Sequence, residues 1–166
     1  MSSVVDKVWA TLEPLTDPEI PVVTLRELGI LRDVRETAEG IEVVITPTYS
    51  GCPAMGQIED DVRASLEQAG IAARVITQLA PAWTTDWMSD EAKEKLRAYG
   101  IAPPHRTCGS SGGAEVSVLK FVRRQPTAAV ACPQCGSTHT VVTSEFGSTA
   151  CKALYKCLDC QEPFDY

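Results

Sequence analysis

The sequence predicts an α+β protein, a small two-layer sandwich followed by a β ribbon, and three observations lead there. Helical periodicity or helix caps mark three segments, near residues 4–15, 53–69 and 90–99. Runs of strand character, at 29–35, 41–46 and 73–79, fall between them. Two Cys-x-x-Cys pairs, Cys132/Cys135 and Cys157/Cys160, then bracket a stretch of hairpin character.

Each element has a local reason. Val4, Val5, Val8, Leu12 and Leu15 recur at helical steps, with Asp6, Lys7 and Glu13 elsewhere around the turn. They make an amphipathic helix that stops before Asp17-Pro18, because proline brings no N–H and clashes with the preceding turn. Asp17-Pro18-Glu19-Ile20-Pro21 is then a rigid turn. Asp17 and Glu19 are the acidic candidates there: solvation accounts for Glu19, while Asp17 is open between turn formation and chemistry. Ile41, Val43 and Ile45 share one face of a strand, since strand side chains alternate, and Gly40 before them makes a hairpin with 29–35.

A second helix from Pro53 to about Ala69 turns Met55, Ile58, Val62, Leu66 and Ala69 inward, with Gly70 as its stop. The third helix takes Ser89 as N-cap and closes on Gly100. Trp83 and Trp87 read as core or subunit-interface packing in preference to a docking patch. Residues 101–114, with Pro103-Pro104 and a glycine-rich run around Cys108, form an extended loop. Residues 116–122 return as a strand, so the first domain spans 1–122, a linker 123–131, and the ribbon 132–166.

Composition narrows the function. At 44% hydrophobic and 22% charged residues this is a folded protein, not a disordered one. Its net charge of -7, with no dense basic stripe, argues against nucleic-acid binding, which needs clustered Lys and Arg. No segment approaches the ~20 apolar residues of a membrane span and no secretory pattern opens the sequence, so a cytoplasmic protein is expected. Seven cysteines in a reducing compartment point to metal binding or thiol chemistry, not to a disulfide framework.

Metal is the reading for the two knuckles. A two-residue spacer lets both thiolates of a pair face one ion, and two pairs complete a sulfur tetrahedron, with zinc preferred and iron able to replace it. The 21 residues between them (136–156) slightly exceed the usual ~15–20; the length suits a hairpin of 140–145 and 153–156. Four protein ligands leave no open position, so the ion is structural. A module this short has no core of its own, and metal binding is then its folding free energy. His139 and Cys151 belong to neither knuckle and are not expected as ligands. Cys151 is open between a surface thiol and a small buried side chain.

Cys52 precedes the second helix in Thr46-Pro47-Thr48-Tyr49-Ser50-Gly51-Cys52-Pro53-Ala54-Met55. With Pro53 at the first helical position, Cys52 stands at or next to the N-cap, where the helix dipole should make its thiol ionise more readily. It is either functional or fills a snug corner. The two histidines, His105 and His139, lie in later segments, so protease-like chemistry with a paired base is not expected. A thiolate without a base suits metal or cluster handling, or thiol exchange.

The run Asp17-Pro18-Glu19-Ile20-Pro21, then Leu28-Gly29-Ile30-Leu31, then Thr46 to Met55 resembles the iron–sulfur-assembly domain of SufT-like proteins and of the cytosolic iron–sulfur targeting factors of eukaryotes. The tail, with Phe146-Gly147-Ser148-Thr149-Ala150-Cys151-Lys152 and the two knuckles, is similar to one branch, the PaaD (PaaJ) family of accessory subunits of phenylacetyl-CoA epoxidase. That resemblance implies a non-catalytic part in aerobic phenylacetate degradation. It implies Cys52 as the functional thiol and Asp17 as the family's acidic turn position, together handling iron or a cluster transiently; Cys151 is a candidate accessory thiol on its own residue context, not on the resemblance. The implied partners are components of the epoxidase system, above all its iron–sulfur flavin reductase. A homodimer bringing two Cys52 residues to one cluster is a further option. Cys108 is read as incidental.

Overall fold

In the computed structural model, residues 3–104, 129–149 and 151–166 are described. The strand expected at 116–122, most of the linker, and Cys108 lie outside them.

Helix α1 (Val4–Leu12) starts at a reciprocal cap: the Asp6 amide donates to Ser3 Oγ at 3.1 Å and the Ser3 amide to Asp6 Oδ2 at 2.8 Å. Val8 and Leu12 are fully buried, and Val5 and Leu15 pack against the core. Val4 is exposed, contrary to the expected stripe, because the inward face runs out at the helix's first position.

Strands β1 (Leu31–Thr37) and β2 (Gly40–Ile45) form the expected antiparallel hairpin. Helix α2 (Met55–Gln68) crosses back to β3 (Ala73–Thr77), which pairs parallel with β2 and gives the order β1-β2-β3. Beyond Thr77 one more bond forms, from the Gln78 amide to the Ile45 carbonyl at 2.8 Å, and Leu79 is already exposed. Ile58, Val62 and Leu66 of α2 meet Ile41, Val43 and Ile45 of β2 in one core, while Ala69 is left exposed past the end of the helix. Contacts of α1 and α2 with each other and with the strands build the two layers. Glu42, between those apolar positions, points the other way: it is buried and receives hydrogen bonds from Arg35, at 3.0 Å, and from Arg74. Both guanidiniums, Arg74 first, hold its carboxyl below the usual range.

Helix α3 (Asp90–Tyr99) is capped by Ser89, whose Oγ accepts from the Ala92 amide at 3.0 Å. Gly100 closes it with φ 95°, a conformation side chains avoid. Met88, Ala92 and Leu96 join the core. Trp83 packs against the same core and donates from Nε1 to the Leu28 carbonyl at 2.9 Å. Trp87 is half-buried, with the Arg32 guanidinium 3.5 Å over its ring.

The ribbon is a three-stranded antiparallel sheet of β4 (Thr140–Ser144), β5 (Leu154–Cys157) and β6 (Pro163–Asp165), in that order. The sequence pattern missed β6, which is only three residues long and follows Gln161 in a left-handed turn (φ 66°). Its partner is visible in the packing: Phe164 stacks on Tyr155 with centroids 5.8 Å apart, and Tyr166 meets the same ring edge-on at 5.5 Å. The segment after α3 attaches here. Ile101 bridges to Asp165, and the Ala102 amide donates to the Asp165 carbonyl at 2.8 Å. Ala102 is thereby buried with Val130, Cys132, Cys157 and Phe164. Among the described residues no helix is long and apolar enough to cross a membrane.

Candidate functional site

Two groups of reactive side chains stand out, the four ribbon cysteines and the surroundings of Cys52, to which the ribbon adds Cys151. In the ribbon the Sγ atoms of Cys132, Cys135, Cys157 and Cys160 all lie within 4.8 Å of one another. Cys132 and Cys160 are 3.7 Å apart and Cys135 and Cys157 are 3.6 Å apart. A tetrahedron of sulfurs about 2.3 Å from a central zinc has edges of about 3.8 Å, so the four thiolates fit such an ion. Cys157 already leans to the thiolate: the Cys160 amide, against the cost of burial and helped by the Asp159 amide, holds it down to about 7. Cys160 is favoured by the Glu162 amide, yet burial and three neighbouring sulfurs push it up to about 12. A cation removes that conflict, because it stabilises all four charges at once. His139 stays out of the group; its Nδ1 pairs with Asp159 Oδ1 at 3.0 Å. Ser137 and then His139 lower the Asp159 carboxyl.

The second group surrounds Cys52. The loop from β2 to α2 turns tightly, the Cys52 amide donating to the Tyr49 carbonyl at 3.2 Å. The helix begins at Met55 with Ala54 at its cap and no side-chain cap, so Cys52 stands two residues before the cap position. The expected ease of ionisation is overturned. Burial pushes the Cys52 thiol up, the Ala54 amide opposes this, and the negative groups of Glu19, Cys151 and Asp17 add to the rise. Displacement from the helix start explains the sign: one amide cannot offset desolvation and three acidic neighbours.

Those neighbours come from distant parts of the chain. Asp17 is buried, and its Oδ1 accepts from the amides of Glu19 and Ile20, both at 2.9 Å, which fixes the proline-braced turn. Glu19, read from sequence as a solvated side chain, is half-buried, and its Oε2 lies 3.9 Å from Cys151 Sγ. Cys151 is exposed, which decides its open reading in favour of a surface thiol. Asp17, Glu19, Tyr49, Cys52, Trp83 and Cys151 line one cavity of about 440 Å³, with Met88, Leu96 and Ile101 among its apolar walls. Burial, then the charges of Cys52, Cys151 and Glu19, push the Tyr49 phenol up. The sequence named Asp17, Cys52 and Cys151 separately; nothing in it placed Glu19 and Cys151 across the same cavity, because their meeting depends on how the ribbon sits on the sandwich.

Sandwich and ribbon together define a class, an iron–sulfur-assembly-type domain joined to a four-cysteine β ribbon. Residues 5–75 match the iron-sulfur cluster assembly protein family, and residues 117–166 match the PaaD zinc beta ribbon domain. Over 163 residues the chain is 47% identical to an Escherichia coli K12 protein that bears the name "Putative 1,2-phenylacetyl-CoA epoxidase" as one of that enzyme's subunits, covering 98% of this chain and 91% of that one. The chain belongs to the PaaD family. An Fe-S protein maturation auxiliary factor of Porphyromonas gingivalis is 36% identical over 88 residues, 51% of this chain and 83% of its own. The crystal structure of a domain of unknown function from Bacillus anthracis superimposes with a TM-score of 0.51 at 32% identity, over 55% of this chain and 90% of that one.

Proposed function

We propose that this protein is a non-enzymatic maturation factor of a phenylacetyl-CoA epoxidase system, acting in the cytoplasm of a cell that degrades phenylacetate. Cys52, with Asp17 beside it, transiently holds iron or an iron–sulfur cluster destined for a partner, and the iron–sulfur flavin reductase of the system is the client. The observation that carries the reading is the Cys52 cavity: a half-buried thiol faces carboxylates, and among the described residues no histidine lines the space. Carboxylates beside a thiol disfavour its ionisation until a cation arrives, and a cation replaces the thiol proton. That is a disposition for taking up metal, not for attacking a carbonyl, which would require a paired base. Transience follows from the donor set, since a resident cluster is held by about four thiolates. The maturation-factor name of the Porphyromonas gingivalis relative and the epoxidase-subunit name of the Escherichia coli relative both support this assignment.

The ribbon's four cysteines hold a structural zinc with no position left for a substrate, and the ribbon gives the surface by which the protein meets its client. The test is the iron and acid-labile sulfide content of the partner reductase, purified from cells carrying the wild type, Cys52→Ser, or no copy of this protein. Cluster occupancy is expected to fall in both altered strains. Full occupancy in all three, with turnover of the complex lost only in the deletion, would leave a scaffold role and end the maturation reading.

A further inference from the structure

A single thiolate is a weak hold on iron, and the charged groups that act on Cys52 from its own domain are the carboxylates of Glu19 and Asp17. The ribbon supplies a second sulfur. Cys151 lies between β4 and β5, exposed, with its Sγ 3.9 Å from Glu19 Oε2 and 3.1 Å from Thr149 Oγ1. It shares the cavity with Cys52, Glu19 and Asp17. The loop that carries it is braced: the Gly147 amide donates to the Lys152 carbonyl at 2.6 Å, the Lys152 amide to the Thr149 carbonyl at 3.2 Å, and Lys152 Nζ pairs with Asp165 Oδ2 at 3.7 Å. A Cβ at position 147 would come within 3.1 Å of Asp165 Oδ1 and 3.2 Å of the Lys152 carbonyl oxygen, so the closed loop is built on glycine. Asp17 adds a carboxylate in which Oδ1 is occupied by two turn amides. Among the described residues, only the ribbon's four cysteines bring three or more ligand atoms within 4.8 Å of one another. The cavity donors are therefore set wider than donors around one ion.

We propose that Cys151 and Glu19 complete the Cys52 site, so that two thiolates from two domains, backed by the carboxylates of Glu19 and Asp17, jointly receive one iron–sulfide unit containing more than one iron. The proposal rests on the cargo reading of Cys52 given above and adds to it the ribbon as a donor of a ligand. Loading forms one sulfur–iron bond at each cysteine and releases one proton from each thiol to solvent. Delivery reverses both as the client's ligands replace the thiolates, and no electron changes hands.

The zinc-loaded full-length protein, incubated anaerobically with ferrous iron and sulfide and then desalted, gives the test. Iron and sulfide retained per chain and the sulfur-to-iron charge-transfer absorption are compared for wild type, Cys52→Ser and Cys151→Ser, with zinc content and melting temperature as checks of the fold. Each substitution is expected to weaken iron retention about tenfold or more, since even outer-shell changes cost 10–100-fold in metal affinity, while zinc content stays unchanged. Loss in Cys52→Ser with full retention in Cys151→Ser overturns the shared site and leaves the Cys52 reading intact. Loss in Cys151→Ser alone overturns it as well. Equal retention in all three proteins, or none by the wild type, removes both. If Cys151→Ser loses zinc or melts early, protection of Cys151 from iodoacetamide in the iron-loaded wild type decides instead: protection is expected, and unchanged labelling overturns the proposal.

Discussion

The sandwich and the ribbon are two solutions to the same shortage of free energy. In the sandwich, side chains from α1, α2, α3, β1 and β2 converge on one apolar core in which Val8, Leu12, Val43, Ile45 and Val62 have no exposed surface. The ribbon's buried cluster has five members, two of them cysteines of the metal group and one, Ala102, contributed from the segment after α3. Val141 and Val142 of β4, which would have to build an apolar core, remain exposed. Surface-to-volume scaling leaves a module of that size little to bury. The first region is thus specified by its pattern of apolar residues and the second by four sulfurs.

The largest test of that contrast is Cys157→Ser. Opening the sulfur tetrahedron removes ion binding worth about 10–16 kcal/mol in comparable small zinc modules. Zinc content should drop to zero and amide signals of β4, β5 and β6 should collapse, while the helical circular dichroism of the sandwich persists. Simultaneous melting of the sandwich would show that the two regions are one cooperative unit. The mirror experiment is Leu12→Ala, a buried cavity expected to cost about 2–5 kcal/mol. Denaturant unfolding of the sandwich should shift to lower concentration with zinc still bound at the wild-type stoichiometry.

Smaller effects sharpen the boundary. Ser89→Ala removes the cap of α3 and should lower stability by about 1 kcal/mol in chemical denaturation. A larger loss accompanied by zinc release would mean that α3 holds the ribbon in place as well. The least effect belongs to Glu42, on the sheet face away from the core. Because its folded pKa is depressed, its pairing with Arg74 and Arg35 stabilises fully above the unfolded value of about 4.3, and that stability is lost as pH falls through the lower folded value. Wild type should therefore melt above Glu42→Gln at pH 6, and the gap should close toward pH 3. A gap that widens in acid would refute the pairing as its cause.

How legible these features were depends on the distance over which each is determined. The caps of α3 were readable because Ser89 and Gly100 act on their own helix, and the sulfur tetrahedron because two-residue spacing is local. The outward turn of Val4 was not, since helical periodicity says which face a residue is on but not where the layer beneath it ends. Strand β6 offers three residues, too few to show alternation, and takes its identity from Tyr155 across the sheet. The direction of the Cys52 thiol is not legible in the sequence, because its place near a helix can be read there, whereas its burial and the approach of Glu19, Cys151 and Asp17 arise only through tertiary packing.

The bond from the Ala102 amide to the Asp165 carbonyl ties a wall of the cavity to the ribbon. Ile101 and Ala102 line the cavity and also pair with the last strand of the ribbon. Whatever orders that strand orders a wall of the cavity, and the effect must be mutual, because a coupling free energy has no preferred direction. An occupied cavity should then slow the escape of the ribbon's ion to a chelator. An ion held by the four ribbon cysteines would then become, by way of that strand edge, a gauge of what the other region has bound.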